Sequence, residues 1–317
     1  MKKLFPLVVL LLILGCKSSV KTESKSITIS SAEVKEVVMY LASDKNQGRN
    51  TGSDGINASA TYIENQLKTF GVKPYYDTYR DNFKVGEMDA FNVVGFIEGT
   101  DTTLKNEVIV LGAHYDHIGY AKAIENDSIA NGANDNAAGT SAVMAIAKYF
   151  ATKKNNKRSI MIALFSAEEM GLLGSKHLAQ RLKSENLNLY TMINFEMIGV
   201  PFKDRDYTAF VTGFEKSNIA QKMNEYLGSN FIGFSEIAKK YNLFRQSDNY
   251  AFYKEFKLPC HTVSSCDLSN YDYYHHADDE IDKLDYEHMA SLINAVIPAI
   301  ETMSNTETKE IIMYEAD

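Results

Sequence analysis

The sequence has little of what marks the specialised protein classes. Its 18 glycines and five prolines are scattered along 317 residues, and it contains neither an internal repeat nor a low-complexity segment. Basic residues are in deficit, with 33 lysines and arginines against 41 aspartates and glutamates, and the KKNNKR run at 153–158 is typical of a solvated turn. These absences predict an ordinary globular protein with a sizeable core and argue against nucleic acid as the main partner.

Long apolar runs are also missing after the first sixteen residues. MKKLFPLVVLLLILGC has two lysines, an apolar stretch and a small residue before Cys16, which is the layout of a secretory signal and is too short to span a bilayer comfortably. ILGC resembles a bacterial lipobox, which implies that Cys16 becomes the lipidated first residue. A plain signal peptide with a chance cysteine is the alternative.

These features predict the organisation and address of the chain. We expect a signal peptide over residues 1–15, a flexible polar tether over 16–31 and a single folded domain over 32–317. The expected product is exported and lipid-anchored at Cys16 to a bacterial cell-envelope membrane, facing the periplasm or the cell surface.

Cysteine is scarce, with three residues in the whole chain. Once Cys16 is assigned to the anchor, Cys260 and Cys266 remain. An even pair in an exported protein predicts a disulfide, although spacing alone does not establish the required geometry. Two separate buried thiols are the alternative.

Apolar periodicity divides the rest of the chain into alternating strands and helices. Three of the strands are continuous enough in apolar residues to be buried on both faces. The alternation predicts the α/β class, with a mostly parallel mixed sheet and helices on both faces. Strands are expected within 91–99, 106–116, 157–169 and 189–197, and helices within 32–43, 58–71, 137–152, 172–183 and 285–303.

Polar side chains cluster where these strands end. Ligands of open α/β sheets bind outside the carboxyl ends of the strands, so these side chains are expected to share one site. Histidine and carboxylate are the ligands of a borderline or hard divalent ion. The cluster comprises His114, Asp116, His117, Asp135, Glu168, Glu169, Glu196, His275 and His276.

Each of these residues also has a simpler interpretation. A histidine after a strand is commonly a rim residue with its hydrogen bonds satisfied, the NDN at 134–136 is common as a turn or helix cap, and HHADDE is compatible with a solvated acidic loop. Their joint placement at one edge of one sheet favours a metal site.

The adjacent pair Glu168 and Glu169 fits such a site. Alternate residues of an extended chain face opposite ways, so one carboxylate can bind metal while the other faces the water. A zinc ion supplies the positive charge that offsets their repulsion and lowers the pKa of its water from ~15.7 to ~7. A neighbouring carboxylate base can then complete the deprotonation.

The order of these motifs resembles a known family from about residue 33 to residue 300. The chain is similar to the co-catalytic zinc aminopeptidases of metallopeptidase clan MH, family 28, which has glutamate carboxypeptidase and glutaminyl cyclase among its relatives. The resemblance implies a zinc-exopeptidase fold and a catalytic role for the domain over 32–317. The matching segments are LASDKNQGRNTGSDG, GAHYDH, NGANDNAAGT, SAEEMGLLGS, NFEMIG, SDNYAF and YHHADDEIDKLD.

The resemblance also implies residue roles. Glu168 would be the general base for a metal-bridging water, and Asp116 would fix the imidazole of His114. The family usually has aspartate where this chain has Glu196, and a Tyr sometimes stabilises the oxyanion, for which Tyr271, Tyr273 and Tyr274 are candidates. The implied cofactor is zinc, two ions per chain: Asp135 bridges both, Glu169 and His275 complete one site, and His114 and Glu196 complete the other.

The function implied by the resemblance is a zinc-dependent aminopeptidase that hydrolyses the N-terminal peptide bond of peptides. Three alternatives keep the same fold. A glutaminyl cyclase would work with one zinc and expel ammonia, a carboxypeptidase would need a basic clamp for the free carboxylate, and a non-catalytic binding relative would have lost its ligands. Peptides and, through the anchor, a membrane are the expected partners.

Overall fold

The N-terminal end of the folded part lies earlier than predicted. The computed structural model describes residue 1 and residues 27–315, so the predicted signal peptide and Cys16 lie outside the described residues. Ile29 is buried and exchanges two hydrogen bonds with the Asn294 side chain, from its amide at 2.9 Å and to its carbonyl at 2.7 Å. Ser30 then caps the first helix. The prediction of a flexible tether reaching residue 31 is therefore wrong for its last residues, because burial and hydrogen bonds fix them to the domain.

The described residues form the predicted helices and strands together with several short ones. Among the described helices, none has both the length and the apolar character needed to cross a bilayer. The helices are α1 Ser31–Leu41, α2 Asp54–Phe70, α3 Gly139–Lys153, α4 Leu173–Ser184, α5 Ile219–Leu227, α6 Glu236–Lys240, α7 Asn249–Phe256 and α8 Tyr286–Asn305. The strands are β1 Lys73–Pro74, β2 Arg80–Val85, β3 Met88–Ile97, β4 Val108–His114, β5 Gly119–Ile124, β6 Asp127–Ala130, β7 Ser159–Phe165, β8 Leu189–Phe195, β9 Ala209–Val211, β10 Ile232–Gly233 and β11 Cys260–Ser264.

Nine of the described strands form one mixed sheet. Their order is β1-β3-β7-β4-β8-β11-β9-β10, with β2 also paired to β3. The middle strands β7, β4, β8 and β11 are parallel neighbours, whereas β3 is antiparallel to β7 and β9 is antiparallel to β11. The α/β class and the mixed sheet are confirmed, and parallel pairing dominates the middle of the sheet, where the apolar strands lie.

The sheet is covered on both faces, which explains those continuous apolar runs. Side chains of β4 alternate between two apolar clusters. Ile109 and Leu111 pack in the cluster that contains residues of α1, α2, α3 and α8. Val108 and Val110 pack in the cluster that contains residues of α4 and α7. All seven residues of β4 are buried, so both faces of the strand contribute to the core.

The predicted disulfide between Cys260 and Cys266 is wrong, since both are free buried cysteines. Cys260 opens β11 and packs in the cluster beneath α4 and α7. Cys266 lies beyond the other end of that strand and packs against Met197 and Tyr271. An extended strand separates Cα atoms four residues apart by about 13 Å, and a disulfide requires Cα atoms within about 7 Å. The strand between them therefore holds the two thiols apart, as the alternative interpretation states.

His261 in β11 predicts a pH dependence of stability. Its imidazole is buried between the Ser217 hydroxyl and the Thr212 carbonyl, both at 2.7 Å, and burial lowers its pKa from 6.5 to about 4. As the pH falls below 6.5, the unfolded chain binds a proton before the folded chain does, so this residue costs up to about 1.4 kcal/mol of stability per pH unit between 6.5 and 4.

Replacing His261 with asparagine removes this titration. The slope of unfolding free energy against pH, measured by urea denaturation between pH 4 and 7, is expected to be shallower for His261→Asn than for the wild type below pH 6.5. The difference between the two curves is expected to be constant above that pH. Parallel curves over the whole range would contradict the expectation.

Candidate metal centre

The carboxyl ends of the middle strands bring the predicted polar residues to one edge of the sheet. β4 ends at His114, β7 is followed by Glu168 and Glu169, and β8 is followed by Glu196. Asp135 lies just ahead of α3, in the connection from β4 to β7. His114, Asp135 and Glu168 are at most 8% exposed. The sheet topology therefore places these side chains at one edge of the sheet, as the sequence predicts, and buries three of them.

The two oxygens of Asp135 face different histidines. Oδ1 lies 3.3 Å from His114 Nε2, whereas Oδ2 lies 3.4 Å from His275 Nε2 and 3.8 Å from His117 Nδ1. Burial alone would raise the pKa of Asp135, but the neighbouring imidazoles of His114 and His275 outweigh it and hold this pKa well below its usual range. Asp135 therefore has the geometry of a carboxylate shared between two binding positions.

Glu169 lies between two of these histidines. Its Oε1 is 2.9 Å from His117 Nδ1, and its Oε2 is 3.0 Å from His275 Nε2. Of the neighbouring pair His275 and His276, the first faces the carboxylates, while the second contacts Asp278. Burial by itself lowers the pKa of His275, but Asp135 and Glu169 raise it to about 10. The imidazole of His275 thus carries positive charge between two carboxylates, a role that a divalent cation can take.

Glu196 is partly buried at the same edge and turns toward Ser247. The Ser247 hydroxyl donates a hydrogen bond to Glu196 Oε2. Burial raises the pKa of Glu196 to about 7, partly offset by the charge of His114. Within the described part of the chain, the one group of three candidate donors that all lie within 4.8 Å of each other is His117, Asp135 and Glu169. Glu196 therefore lies near this group of donors but is not part of it.

Glu168 is buried among charges. Burial raises its pKa well above the usual range; the charge of His114 opposes this rise, and the carboxylates of Glu196 and Asp248 add to it. A carboxylate with a raised pKa takes up a proton more readily, which is the property that a general base requires.

Asp116 holds the two glutamates through their backbone. Its carboxylate accepts hydrogen bonds from the amides of Glu168 at 3.2 Å and Glu169 at 3.4 Å, and from the Thr51 hydroxyl at 3.3 Å. Its contact with the imidazole of His114 is closer through the backbone carbonyl, at 3.2 Å from Nδ1, than through the carboxylate, at 3.7 Å. The carboxylate of Asp116 therefore fixes the 168–169 segment as well as facing His114.

Strained backbone positions flank the same residues. Ala167, Met197 and His275 have φ values of 53°, 49° and 54°, in the left-handed region that non-glycine residues rarely adopt. Ala167 precedes Glu168, and Met197 follows Glu196. Such strain persists only where the surroundings impose it, and it concentrates at functional sites.

Two supporting residues have no role in the sequence-based prediction. Asp279 accepts hydrogen bonds from the amides of Asn134 at 2.8 Å and Asp135 at 3.0 Å and from the Tyr271 hydroxyl at 2.5 Å, which fixes the loop that carries Asp135. Arg49 is fully buried and donates to four carbonyls on both sides of the cluster. Both residues lie in segments quoted for the family resemblance, but their partners are too distant in sequence to be read from the pattern.

The donor set fits a divalent cation. His114 Nε2, His117 Nε2 and His275 Nε2 are buried without a hydrogen-bond partner among the described residues, and His114 and His275 direct this nitrogen at carboxylates. Neutral imidazole and carboxylate donors in this number match the ligands that zinc takes in proteins.

Comparison with known proteins agrees with this chemistry. The model of a family described as Peptidase family M28 matches residues 92–300. That range contains every residue of the cluster, from His114 to His275.

Two curated relatives are similar over about half of the chain. A probable zinc metalloprotease of Pyrenophora teres f. teres (strain 0-1) is 30% identical over 166 residues, covering 49% of this chain and 33% of the relative. Leucine aminopeptidase 2 of Trichophyton rubrum is 29% identical over 172 residues, covering 53% of this chain and 32% of the relative. The chain thus spans about a third of the length of these relatives.

Two solved structures share the fold. BSAP, a zinc aminopeptidase from Bacillus subtilis, superposes with a TM-score of 0.68 at 15% identity, covering 90% of this chain and 98% of that chain. Porphyromonas gingivalis glutaminyl cyclase superposes with a TM-score of 0.68 at 16% identity, covering 86% of this chain and 98% of that chain. Because the fold occurs in a peptidase and in a cyclase, function has to be argued from the site.

Proposed function

Because the chain belongs to peptidase family M28, we propose that it is a zinc-dependent aminopeptidase that hydrolyses the N-terminal peptide bond of peptides. The observation that carries this proposal is the position of Glu168, a buried carboxylate with a raised pKa, directly beside the cluster of Asp135, Glu169 and three histidines. A general base next to a set of zinc ligands is the arrangement that metal-assisted hydrolysis requires.

We assign the side chains the following parts. His114, Asp135, Glu169, Glu196 and His275 would hold zinc, two ions per chain, and zinc supplies polarisation of the scissile carbonyl and a lowered pKa for water. Glu168 takes the proton of the attacking water and delivers it to the leaving amine. Asp116 holds the Glu168 and Glu169 amides, so the base and the neighbouring ligand keep their relative positions.

A cleft beside the centre supports a preference for apolar N-terminal side chains. Its wall includes Glu196, Tyr274 and the apolar side chains of Met197, Phe210 and Leu243. Apolar walls with a few polar groups favour the binding of an apolar side chain. Tyr274 also stacks on His275 at 3.9 Å between ring centroids, so it lies where a bound substrate would pass.

The charge of the centre favours an amino group over a carboxylate in the substrate. Glu196 lines this cleft, and no lysine or arginine is among the described residues that line it. The carboxylate of Glu168 is close enough to Glu196 for the two charges to interact. A protonated N-terminus is therefore attracted. A substrate C-terminus would be repelled, which argues against carboxypeptidase action.

Cyclisation of N-terminal glutamine is the second candidate function. The observation that favours it is the hydrogen bond from Ser247 to Glu196, which directs this carboxylate away from the other donors. Among the described residues, one compact group of possible metal donors then remains, formed by His117, Asp135 and Glu169. A single ion would match the one-zinc chemistry of the cyclase alternative. The number of bound ions and the reaction products separate the two candidates.

We also propose export and lipid anchoring at Cys16 as the location of the protein. The support is the signal-like N-terminal sequence and the ILGC motif. Peptides that reach the cell envelope would then be the substrates.

Metal removal tests the proposed function. Purified full-length protein is expected to contain two zinc ions per chain by elemental analysis and to release N-terminal residues from aminoacyl chromogenic substrates, apolar residues fastest. A chelator is expected to abolish release, and added zinc is expected to restore it. One zinc per chain with cyclisation of N-terminal glutamine peptides would favour the second candidate, and activity that survives complete zinc removal would contradict both.

A further inference from the structure

The position of His117 is not explained by the roles proposed so far. It follows Asp116 directly, beyond the end of β4, and its side chain is fully buried. Its amide donates to the Arg49 carbonyl at 3.3 Å, and its Nδ1 lies 3.8 Å from Asp135 Oδ2, the oxygen that does not face His114. This places a third imidazole beside the carboxylates.

We propose that His117 is a zinc ligand through Nδ1, so that His117, Asp135, Glu169 and His275 form a four-donor site. This inference rests on the proposed zinc chemistry and adds a ligand to it. The first support is distance: His117 Nδ1 lies 2.9 Å from Glu169 Oε1 and 3.8 Å from Asp135 Oδ2. His275 Nε2 lies 3.0 Å from Glu169 Oε2 and 3.4 Å from the same Asp135 oxygen.

These four distances are close to the spacing of ligands around zinc. Donors placed tetrahedrally at about 2.0–2.1 Å from an ion are about 3.3 Å from each other, and the four contacts, from 2.9 to 3.8 Å, bracket that value. Among the described residues, His117, Asp135 and Glu169 form the compact part of the site, with donors that all lie within 4.8 Å of one another. His275 faces the second oxygen of Glu169, so Glu169 would bind the ion through both of its oxygens. The rings of His117 and His275 meet at 69° with centroids 5.6 Å apart, so they approach the carboxylates from different directions instead of stacking.

Charge balance is the second support. Asp135 and Glu169 place two negative charges side by side, so a first Zn²⁺ held by them and by two neutral imidazoles forms a neutral set before a second ion binds to Asp135. A buried set of ligands that balances its own charge avoids the desolvation cost of unpaired carboxylates.

A fourth protein ligand changes the character of this ion. Four protein ligands are typical of tightly held zinc, whereas three ligands leave a position open for water or substrate. We therefore expect the two sites to bind zinc unequally. Binding is expected to be tight at the His117 site and weaker at the site of His114 and Glu196, where the Glu196 carboxylate also accepts a hydrogen bond from Ser247.

Asparagine at position 117 distinguishes a ligand from a residue that only orients Glu169. The amide nitrogen of asparagine can occupy the place of Nδ1 and donate to Glu169, but it does not replace an imidazole on zinc. In His117→Asn, the Kd of the tighter zinc, measured by competition with a chromogenic chelator, is expected to rise by more than about 100-fold, beyond the 10–100-fold typical of losing a partner that only orients a ligand. X-ray absorption of protein loaded with one zinc is expected to show two imidazoles in the wild type and one in the variant.

The adjacent histidine provides the control. His276 is partly exposed and contacts Asp278 at 3.7 Å instead of the cluster, so His276→Asn is expected to keep the wild-type Kd and imidazole count. A His117→Asn protein with wild-type Kd, or a wild-type spectrum with a single imidazole, would overturn the proposal. Because the readout is zinc binding, wild-type aminopeptidase activity alongside such a result would leave the proposed function standing.

Discussion

Replacing Glu168 with glutamine is expected to lower kcat by about 10²–10⁴-fold, the usual contribution of a general base. Glutamine has nearly the same shape but does not accept the proton of the attacking water. The zinc content is expected to stay at the wild-type value, because the ligands are other residues. Stopped-time hydrolysis of an aminoacyl chromogenic substrate and elemental analysis of the same sample measure both quantities.

The same variant is expected to unfold at the wild-type temperature or above it. Burial raises the pKa of Glu168, and Glu196 and Asp248 add like-charge repulsion, so a neutral amide relieves an unfavourable charge at the cost of function. Glu87→Gln, at an exposed glutamate in the turn between β2 and β3, is the control and should change neither property. A zinc-loaded Glu168→Gln protein that hydrolyses at the wild-type rate would rule out Glu168 as the base.

Replacing Arg49 with methionine is expected to lower the free energy of unfolding by about 4 kcal/mol or more, since each buried carbonyl left without a donor costs about 1–3 kcal/mol. The guanidinium donates to the carbonyls of Tyr115 at 2.8 Å, Leu41 at 2.7 Å, Asn131 at 2.6 Å and Gly132 at 2.9 Å. Burial lowers its pKa to about 10, which still leaves it charged at neutral pH.

The loss of Arg49 is also expected to weaken zinc binding, because Tyr115 follows His114 and Gly132 precedes the Asp135 loop. Arg158 is the matched control: it is equally buried and donates to Glu107 and to the carbonyls of Met303 and Thr306 at the opposite edge of the sheet. Arg158→Met should destabilise the fold but leave the zinc Kd unchanged. Urea denaturation and chelator competition separate the two effects, and an Arg49→Met protein within 1 kcal/mol of wild type would contradict the expectation.

Residues that directly follow strands could be placed from the sequence, because parallel neighbouring strands end at the same edge of the sheet. Once 106–116, 157–169 and 189–197 are recognised as parallel neighbours, His114, Glu168 and Glu196 must arrive at one edge. His275 lies in a loop, so only the family resemblance could predict that it lies beside Asp135. The helix α2 ends at Gly71, as predicted, because Gly71 adopts the left-handed conformation, with φ of 82°.

The remaining features depend on contacts between distant parts of the chain. The two cysteines at 260 and 266 predict a disulfide, but Cys260–Ser264 is a strand that pairs with β8. His117 is adjacent to Asp116, and nothing in its spacing distinguishes a ligand from a rim residue. Arg49 and Asp279 act through hydrogen bonds across 66 and 144 residues of sequence, for which one sequence contains no signal.

The outermost strands of the sheet affect how copies of this protein interact at high concentration. β1 and β10 are each two residues long, and β2, on the same flank of β3 as β1, ends in a turn and contains Arg80 and the exposed Lys84. An open strand edge is a template for pairing with another chain, and short or charged edge strands prevent this. The described sheet therefore offers little free backbone to a second molecule, which protects the protein from intermolecular β-aggregation at high local concentration.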